Sequence, residues 1–372
     1  MFFRRIQMKI VFIINSISAQ RCIKRVEEFI ANGYEVDVYG FSRKMAVPLE
    51  PKNFRLNVIG TFENAMPFAK RLKLMCKSIK DVIRKYESEN VIYYLFQLDV
   101  ALSFKLVTHC NKYIYEESDL MHTYISNRLV KNLLEYVDKW IINKSILSIF
   151  TSEGFLNYHY GDSKPNNTIV VPNRLNQSIQ TLCLQEKVES NCLRVGFVGF
   201  PRYKSIINFA SFFCRNYKEH EFHFYGDSSN LSENDLENLK KYSNCYFHGS
   251  FRNPEDLPQI YSQIDLVLST YDTDYENVRY AEPNKIYESI YFETPIIVSE
   301  NTFLEKKVKK LGIGYSVNAN NENEVILLID RIAKNGMKTE IDACKLIPKD
   351  KCININTLLF EMLKLKLNKN ER

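Results

Sequence analysis

Two charged residues near position 285 have the types and spacing that suit nucleotide binding. Lys285 and Glu288 lie three residues apart just after Pro283, so in a helix that begins there they share one face. The helix N-terminus and the Lys285 ammonium suit a phosphate, and the Glu288 carboxylate offers two acceptors for vicinal sugar hydroxyls. A ligand with a phosphate at the Lys285 end of the helix and a ribose at Glu288 is a nucleotide. The alternative is an amphipathic helix that carries this pair by chance.

The turn from Gly199 to Ser205 is a second candidate for phosphate binding. It follows a predicted strand and precedes a predicted helix, and glycine lets the backbone approach a ligand closely. Arg202 and Lys204 supply two cations suited to a diphosphate. The turn is therefore a candidate diphosphate cradle.

The D-x-D sequence Asp272-Thr273-Asp274 needs a separate interpretation. This motif binds Mn²⁺ or Mg²⁺ in one class of nucleotide-sugar enzymes. That class has a single nucleotide-binding domain with the acids early in the chain, whereas here they lie late, in a second domain with its own basic turn. We therefore interpret the motif as an ordinary acidic loop.

A group of polar residues follows the predicted strand Tyr113–Glu116. Glu117, Asp119 and His122 lie directly after it, and ligands of doubly wound sheets bind beyond the carboxyl ends of the strands. These residues are therefore candidates for acid–base chemistry. The alternative is an acid-rich helix N-terminus capped by Ser118 or Asp119.

We favour Asp119 as the general base because it lies further beyond the strand, and we keep Glu117 in reserve. The two are two positions apart. Their side chains point the same way if the strand continues through them, and diverge if a turn begins. His122, three residues after Asp119, is placed to orient or charge-stabilise it.

The elements that must position these residues form an α/β pattern. Lys9–Asn15 is a continuous apolar run typical of a strand buried on both faces, Arg21–Ala31 is a predicted helix, and Tyr34–Tyr39 is the next strand. This is a βαβ unit with a parallel sheet. The loop after the first strand lacks G-x-G-x-x-G, so we expect no NAD or FAD site in the first domain.

The alternation of strands and helices restarts near Leu193, so the 372 residues divide into two α/β domains. We predict a first domain over 1–178, a polar linker over 179–192 and a second domain over 193–340. The remaining segment, 341–372, includes the amphipathic stretch Asn356–Leu367, which we expect to cross back to the first domain. Residues 1–7 precede the natural start Met8-Lys9-Ile10 and are expected to be a loose extension.

The composition indicates in which cellular compartment the protein works and what kinds of partner it contacts. The nine cysteines are scattered without C-x-x-C or metal-ligand spacing, which suits a reducing cytosol. No apolar run approaches the roughly 20 residues that span a bilayer. Residues 1–185 carry 25 Lys and Arg against 17 Asp and Glu, whereas the remainder carries 25 against 27. The basic first half indicates a surface role for that half.

A long predicted helix over Ala65–Glu89 has two opposed faces. One is apolar, and the other carries five basic residues: Lys70, Lys73, Lys77, Lys80 and Arg84. This basic stripe is either a solvated face or a surface that rests on anionic lipid headgroups.

Taken in order, four segments resemble the GT-B glycosyltransferases, in particular those that build bacterial capsule, exopolysaccharide and related surface glycans. The resemblance covers roughly residues 8–320. Its segments are Arg21–Val38, Phe150–Phe155 with Val171–Asn173, Val195–Lys204, and Pro283–Glu288, the last being similar to the donor-binding P-x-K-x-x-E motif. It implies an α/β, GT-B architecture: two Rossmann-like domains whose parallel sheets face each other across a cleft.

The resemblance also assigns roles. It implies that Glu288 binds the donor ribose and Lys285 the diphosphate, with Gly199, Arg202, Lys204, Pro283 and Asn284 around them. Many relatives carry a second glutamate eight positions before the first, but here that position is Tyr280, which departs from the retaining group that uses such a pair. Ser118-Asp119 resembles the position of the catalytic base in some inverting members. No metal and no cofactor are implied, because basic side chains neutralise the leaving diphosphate.

The sequence therefore predicts a hexosyltransferase-type enzyme of bacterial surface polysaccharide synthesis. The donor is a nucleotide-sugar, UDP- or GDP-linked, and the acceptor a glycan or a polyprenyl-diphosphate-linked oligosaccharide; nucleic acid is not an expected partner. We expect a cytoplasmic protein with peripheral contact to the inner face of the membrane. The alternatives are a nucleotide-sugar 2-epimerase of the same architecture and a non-catalytic membrane-associated scaffold.

Overall fold

The structure is a computed structural model that describes residues 8–43, 51, 53–63 and 66–370, with the last two as backbone only. It contains two compact units: unit 1 is Met1–Pro172 with Asn356–Arg372, and unit 2 is Asn173–Ile355. The expected extension, residues 1–7, lies outside the described residues, as does the predicted helix start at Ala65.

Unit 1 is built on a seven-stranded parallel sheet. Its continuous apolar strands are buried because helices cover both faces. The strand order is β3-β2-β1-β4-β5-β6-β7. The strands are β1 Lys9–Ile14, β2 Glu35–Arg43, β3 Leu56–Phe62, β4 Val91–Phe96, β5 Tyr113–Glu117, β6 Leu147–Phe150 and β7 Thr168–Val170. The helices are α1 Gln20–Ala31, α2 Phe68–Lys85, α3 Gln97–Val107, α4 Arg128–Lys144 and α5 Glu153–Tyr160.

Unit 2 repeats this plan with six parallel strands in the order β10-β9-β8-β11-β12-β13. The strands are β8 Arg194–Val198, β9 Glu221–Tyr225, β10 Cys245–Gly249, β11 Leu266–Ser269, β12 Ile296–Ser299 and β13 Gly314–Val317. The helices are α6 Lys204–Asn216, α7 Glu233–Lys240, α8 Leu257–Ser262, α9 Glu276–Tyr280, α10 Lys285–Tyr291, α11 Phe303–Leu311, α12 Glu322–Asn335 and α13 Lys338–Leu346.

The C-terminal helix, α14 Thr357–Asn370, belongs to unit 1. Its residues Leu359, Phe360 and Leu363 are buried in the same core as Phe12 and Phe29. The ring of Phe360 meets that of Phe29 edge-on, with centroids 5.1 Å apart. Burial of this apolar face therefore anchors the end of the chain to unit 1.

Several boundaries differ from the sequence-based expectations. Unit 1 ends at Pro172 rather than at 178, and the residues expected to be a linker, 179–192, belong to unit 2. Lys187 explains this anchoring, because its ammonium donates at 2.7 Å to the carbonyl oxygens of Tyr261 and Ile264. A polar segment without periodicity can thus be held by side-chain and backbone hydrogen bonds, which leave no pattern in the sequence.

The predicted helix over Ala65–Glu89 is shorter in the structure, where α2 follows Pro67 and ends at Lys85. Pro283 also lies outside the helix in which it was predicted, because α10 begins at Lys285 with Asn284 as its N-cap. In the described part of the chain, no helix combines the length and the apolar character needed to cross a membrane.

Candidate functional site

The Lys285 side chain brings the two predicted phosphate-binding segments together. Lys285 is 8% exposed and begins α10. Its ammonium lies 4.9 Å from the centroid of the Phe197 ring in β8. A Cβ built on Gly199 would lie 3.1 Å from Lys285 Nζ. A cation from one segment therefore faces the glycine that ends the strand of the other, at the carboxyl edge of the sheet where α/β folds bind ligands.

Two glycines shape the backbone at this edge. Gly199 and Gly226 have φ angles of +136° and +140°, a region that other residues rarely adopt. A Cβ on Gly226 would lie 1.9 Å from the carbonyl oxygen of Gly199. The Gly199 amide donates to the Tyr225 carbonyl at 2.7 Å. The ends of β8 and β9 therefore approach each other more closely than any side chain would allow.

Glu288 is buried, with 2% exposure, and both of its oxygens accept hydrogen bonds. Tyr261 Oη donates to Oε2 at 2.7 Å, and Asn284 Nδ2 donates to Oε1 at 2.6 Å. Burial, together with the Glu288 carboxylate, raises the pKa of Tyr261 well above its ordinary value, so the phenol remains a donor. The carboxylate keeps acceptor capacity for further donors, since its two oxygens offer about four lone-pair sites.

Glu282 is a buried carboxylate to which the sequence analysis gave no role. It accepts a hydrogen bond from Lys307 Nζ at 2.5 Å and another from the Tyr287 hydroxyl. The Arg174 guanidinium lies 5.5 Å from the centroid of the Tyr287 ring. In the sequence, only the position of Glu282 directly before Pro283 pointed to a role for it. Its contacts could not be predicted, because Lys307 and Arg174 are far from Glu282 in the chain.

The two cations of the Gly199–Ser205 turn are placed differently from Lys285. Lys204 is 62% exposed at its side chain, and its ammonium pairs with Asp235 at 3.1 Å. Arg202 is exposed, with its guanidinium 5.2 Å from the centroid of the Tyr203 ring. The structure therefore brings Lys285, and neither of these two cations, against Gly199.

Asp272, the first acid of the D-x-D sequence, caps helix α6. Its carboxylate accepts from the backbone amides of Lys204 and Ser205, at 2.9 and 2.8 Å. These are two of the amides that a helix N-terminus leaves without internal partners. Asp272 thus has a structural function at the α6 N-terminus.

In unit 1, Asp119 lies beyond the end of β5 and is held by two side chains. Arg21 Nη1 and Nη2 each lie 3.1 Å from Asp119 Oδ2, and Gln97 Nε2 donates to the same oxygen at 3.0 Å. The Asp119 side chain is 32% exposed. Gln97 is the first residue of α3 and has a φ of +71°, a strained conformation for a side-chain-bearing residue. The carboxylate is therefore both oriented and accessible.

Glu117, the reserve candidate, is fully buried and points away from solvent. Both of its oxygens lie 3.0–3.1 Å from His159 Nε2. Burial raises the pKa of the Glu117 carboxyl to about 8; nearby Asp138 adds to this rise and His159 opposes it. Asp119 is about a third exposed and Glu117 has no exposed side chain, so only Asp119 is accessible to an acceptor hydroxyl.

The expectation that His122 orients Asp119 does not match the geometry. His122 is fully buried, and its Nδ1 lies 3.5 Å from Asp138 Oδ2. Neither ring nitrogen hydrogen-bonds to any residue in the described part of the chain. Sequence reasoning missed Asp138 and His159, because each lies on another helix than His122 and at no distinguishing spacing from it.

Glu116, the last residue of the predicted strand, has a structural partner. Arg25 Nε donates to Glu116 Oε2 at 2.9 Å, and the Tyr94 hydroxyl donates to the same oxygen. Arg25 also pairs with Glu28 at 2.6 Å. All of these groups lie inside unit 1, so Glu116 fastens α1 to the sheet.

The basic stripe of α2 lies on the surface. Its members Lys70, Lys73, Lys77, Lys80 and Arg84 are all exposed, whereas Met75, Ile79 and Val82 are buried. Arg84 pairs with Asp81 at 3.3 Å across one helical turn. Exposure of the stripe fits both a solvated face and a lipid contact.

Comparisons with known proteins identify the fold. No protein-family model and no curated protein sequence matches the chain. Among solved structures, it is similar to sucrose-phosphate synthase from Thermosynechococcus elongatus, with a TM-score of 0.70 and 15% identity, covering 98% of this chain and 99% of that one. It is also similar to Anabaena HepE in complex with UDP and glucose, with a TM-score of 0.66 and 15% identity, covering 96% and 99%.

A third structure, the lipopolysaccharide outer core galactosyltransferase WaaB, matches with a TM-score of 0.64 and 14% identity, covering 98% of this chain and all of that one. The two parallel-sheet α/β units and these full-length matches show that the chain has the GT-B fold, with two Rossmann-like domains. The structural neighbours that share it include glycosyltransferases.

Proposed function

We propose that this protein is a glycosyltransferase that takes its sugar from a nucleotide-diphosphate donor, UDP- or GDP-linked. The observation that carries the proposal is the placement of Lys285 and Glu288 on the short helix α10, both buried, with Lys285 against Gly199. Similar structures include HepE with UDP-glucose, which supports a nucleotide-sugar as the donor here.

In this proposal the donor is held by unit 2. Glu288 accepts the ribose hydroxyls, and its hydrogen bonds from Tyr261 and Asn284 fix the carboxylate for that purpose. Lys285 binds the diphosphate and stabilises the negative charge that develops on it as the bond to the sugar breaks. Pro283, Arg202 and Lys204 complete the proposed surroundings. This assignment requires no metal and no cofactor.

In the same proposal, Asp119 of unit 1 is the general base. It takes the proton from the acceptor hydroxyl while that oxygen forms the new glycosidic bond and the nucleotide diphosphate leaves. Arg21 and Gln97 hold Asp119 Oδ2 in place. A reaction in which a general base activates the acceptor hydroxyl in this way inverts the configuration at the anomeric carbon of the sugar.

We further propose a cytoplasmic enzyme of bacterial surface polysaccharide synthesis, of the hexosyltransferase type, that acts on a polyprenyl-diphosphate-linked acceptor at the membrane. Two surfaces of unit 1 support membrane contact. The first is the basic stripe of α2. The second is an exposed apolar face of α4, whose residues Leu129, Leu133, Tyr136 and Trp140 are between 39% and 81% exposed.

These two surfaces belong to one layer of helices, because α3 packs against both α2 and α4. The Lys105 ammonium of α3 lies 5.3 Å from the centroid of the Trp140 ring. Tryptophan and tyrosine at a surface, with lysines nearby, suit the boundary between headgroups and acyl chains. The same layer thus offers apolar and cationic groups to an anionic lipid surface.

A nucleotide-sugar panel tests the proposal. Thermal shift of the full chain with UDP-, GDP-, CMP- and dTDP-sugars should identify one base that raises the melting temperature, and Glu288→Ala should abolish that rise. The selected donor is then incubated with a lipid-linked acceptor, and transfer is followed by mass spectrometry.

The outcomes separate the alternatives. Conversion of the donor to its epimer without any acceptor would identify a 2-epimerase, which shares this fold. The absence of a shift with every nucleotide would instead support a non-catalytic scaffold and contradict the proposed donor site.

A further inference from the structure

A cluster of titratable side chains in unit 1 lies outside the residues used above for transfer. Glu117 ends β5, Asp138 lies on α4 and His159 lies on α5. Each offers one ligand atom, and these three atoms lie within 4.8 Å of one another. All three side chains are buried. Side chains from three different elements of unit 1 thus converge on one point.

A fourth side chain, that of His122, lies beside Asp138 but outside the group of three whose ligand atoms lie within 4.8 Å of one another. His122 is fully buried, and its Nδ1 lies 3.5 Å from Asp138 Oδ2. Its ring centroid is 5.6 Å from that of His159. Both nitrogens of His122, together with Asp138 Oδ2 and His159 Nδ1, lack a hydrogen-bond partner among the described residues. Buried polar atoms without partners are costly, so an ion that binds Asp138 Oδ2 and one nitrogen of His122 would stabilise unit 1.

Two buried carboxylates side by side also repel each other. Taking their charges out of water is expensive unless a cation or a proton stands between them. Neither a lysine nor an arginine pairs with Glu117 or Asp138 in the described part of the chain; their recorded ion-pair partners are the two histidines. The cluster therefore has oxygen and nitrogen atoms that can bind a cation, and the only members of the cluster that can carry a positive charge are the two histidines.

We propose that Glu117, Asp138, His159 and His122 bind one divalent first-row metal ion, with Zn²⁺ the preferred occupant. Two imidazoles and two carboxylates form a mixed nitrogen and oxygen set, which suits Zn²⁺, whereas Mg²⁺ and Ca²⁺ favour oxygen ligands alone. Glu117, Asp138 and His159 supply three positions of a tetrahedral site. In this proposal the His122 ring turns from beside Asp138 to supply the fourth, which leaves no position for a substrate and makes the ion structural.

The surroundings fit a metal site in one further respect. Tyr115 Oη donates to Asp138 Oδ1 at 2.8 Å, the oxygen that does not face His122. Hydrogen bonds of this kind orient carboxylate ligands and are a regular part of metal sites. The ion would join β5, the short 3₁₀ helix Met121–Tyr124, α4 and α5, and would thereby position the segment that carries Asp119. This inference is independent of the proposed donor site.

The test uses the full chain, stripped with a chelator and then dialysed against micromolar Zn²⁺ or Co²⁺ near neutral pH. We expect uptake of one equivalent, a higher melting temperature, and a visible Co²⁺ spectrum without a sulfur-to-metal charge-transfer band. Glu117→Gln and His159→Gln should lose this uptake. The matched control is His223→Gln, which removes a buried histidine that lies beside His248 and Glu221 in unit 2; this variant should bind like the parent.

Three results would overturn the proposal. The first is a folded parent that takes up neither ion, which would mean that a proton shared by Glu117 and Asp138 relieves the repulsion. Uptake could be lost in His223→Gln and kept in His159→Gln. A sulfur-to-metal band would assign the ion to cysteines. Because the first and third results come from the parent protein, they decide the question even where a variant fails to fold.

Discussion

Both terminal guanidinium nitrogens of Arg21 lie 3.1 Å from the same oxygen of Asp119, Oδ2, although 98 positions separate the two residues. Gln97 adds a third donor to that oxygen at 3.0 Å. Such charge-assisted hydrogen bonds fix the plane of a carboxylate. The arrangement therefore presents an oriented carboxylate, with a 32% exposed side chain, to an acceptor.

Asp119→Asn tests this carboxylate as the base. The amide keeps the size of the side chain but cannot accept the proton, so turnover should fall by roughly 10²–10⁴-fold while donor affinity stays nearly unchanged. Steady-state kinetics with the true acceptor, together with calorimetry of nucleotide binding, measure the two effects separately. Parental turnover in Asp119→Asn would remove Asp119 as the general base.

Glu288→Ala should weaken binding of the cognate nucleotide by roughly 1.5–3 kcal/mol, the usual size of a hydrogen bond to a charged group. The loss also leaves the Tyr261 hydroxyl and the Asn284 amide without their acceptor. Isothermal titration calorimetry measures the change, and Glu233→Ala, at an exposed glutamate of α7, is the control. An unchanged affinity would remove Glu288 from the donor site.

Replacement of Lys70, Lys73, Lys77 and Lys80 by Gln should reduce binding to anionic liposomes, by about 1 kcal/mol for each charge near the lipid surface. Sedimentation with liposomes at moderate salt measures the effect. A control with the same loss of charge replaces four exposed lysines of unit 2, Lys240, Lys241, Lys310 and Lys334. Equal sedimentation of the α2 variant and the parent would identify the stripe as a solvated face.

The lowered pKa of Lys187 predicts that the free energy of unfolding depends on pH. Burial lowers the pKa of its ammonium from 10.5 to about 8, despite the attraction of Asp265. Between these values the unfolded chain binds the proton more tightly than the folded protein. The contribution of this group to the free energy of unfolding is therefore fully present above about pH 10.5 and is lost as the pH falls through about 8.

Relative to Lys187→Met, the parent should therefore gain stability between pH 8 and 10.5, by about 3 kcal/mol at most, since one pKa unit corresponds to about 1.4 kcal/mol. Denaturant unfolding followed by circular dichroism across this range gives the difference. Lys334→Met, at an exposed lysine of α12, should follow the parent at every pH. A constant difference between parent and Lys187→Met would show that Lys187 keeps its proton throughout.

The sequence alone was sufficient for the features that depend on neighbouring residues. Continuous apolar runs such as Lys9–Asn15 predicted strands buried on both faces, and the alternation of strands with helices predicted two parallel-sheet units. Both patterns are visible in the sequence because apolar residues recur with the period of the strand or helix that buries them. The P-x-K-x-x-E motif predicted a helix that carries Lys285 and Glu288, because i and i+3 share a face whatever surrounds them.

Only the tertiary structure decided which side chains meet. Asp119 pairs with Arg21, Asp272 caps α6, and His122 lies against Asp138 rather than against Asp119. None of these contacts follows a period in the sequence, because each joins two different segments of the chain whose relative placement is set by packing. The spacing of His122 from Asp119 suggested a pair, but the 3₁₀ turn after β5 directs the ring into the interior of unit 1. Where a side chain at the end of a strand points, and how deeply it is buried, depend on packing, and the spacing of residues in the sequence does not specify this.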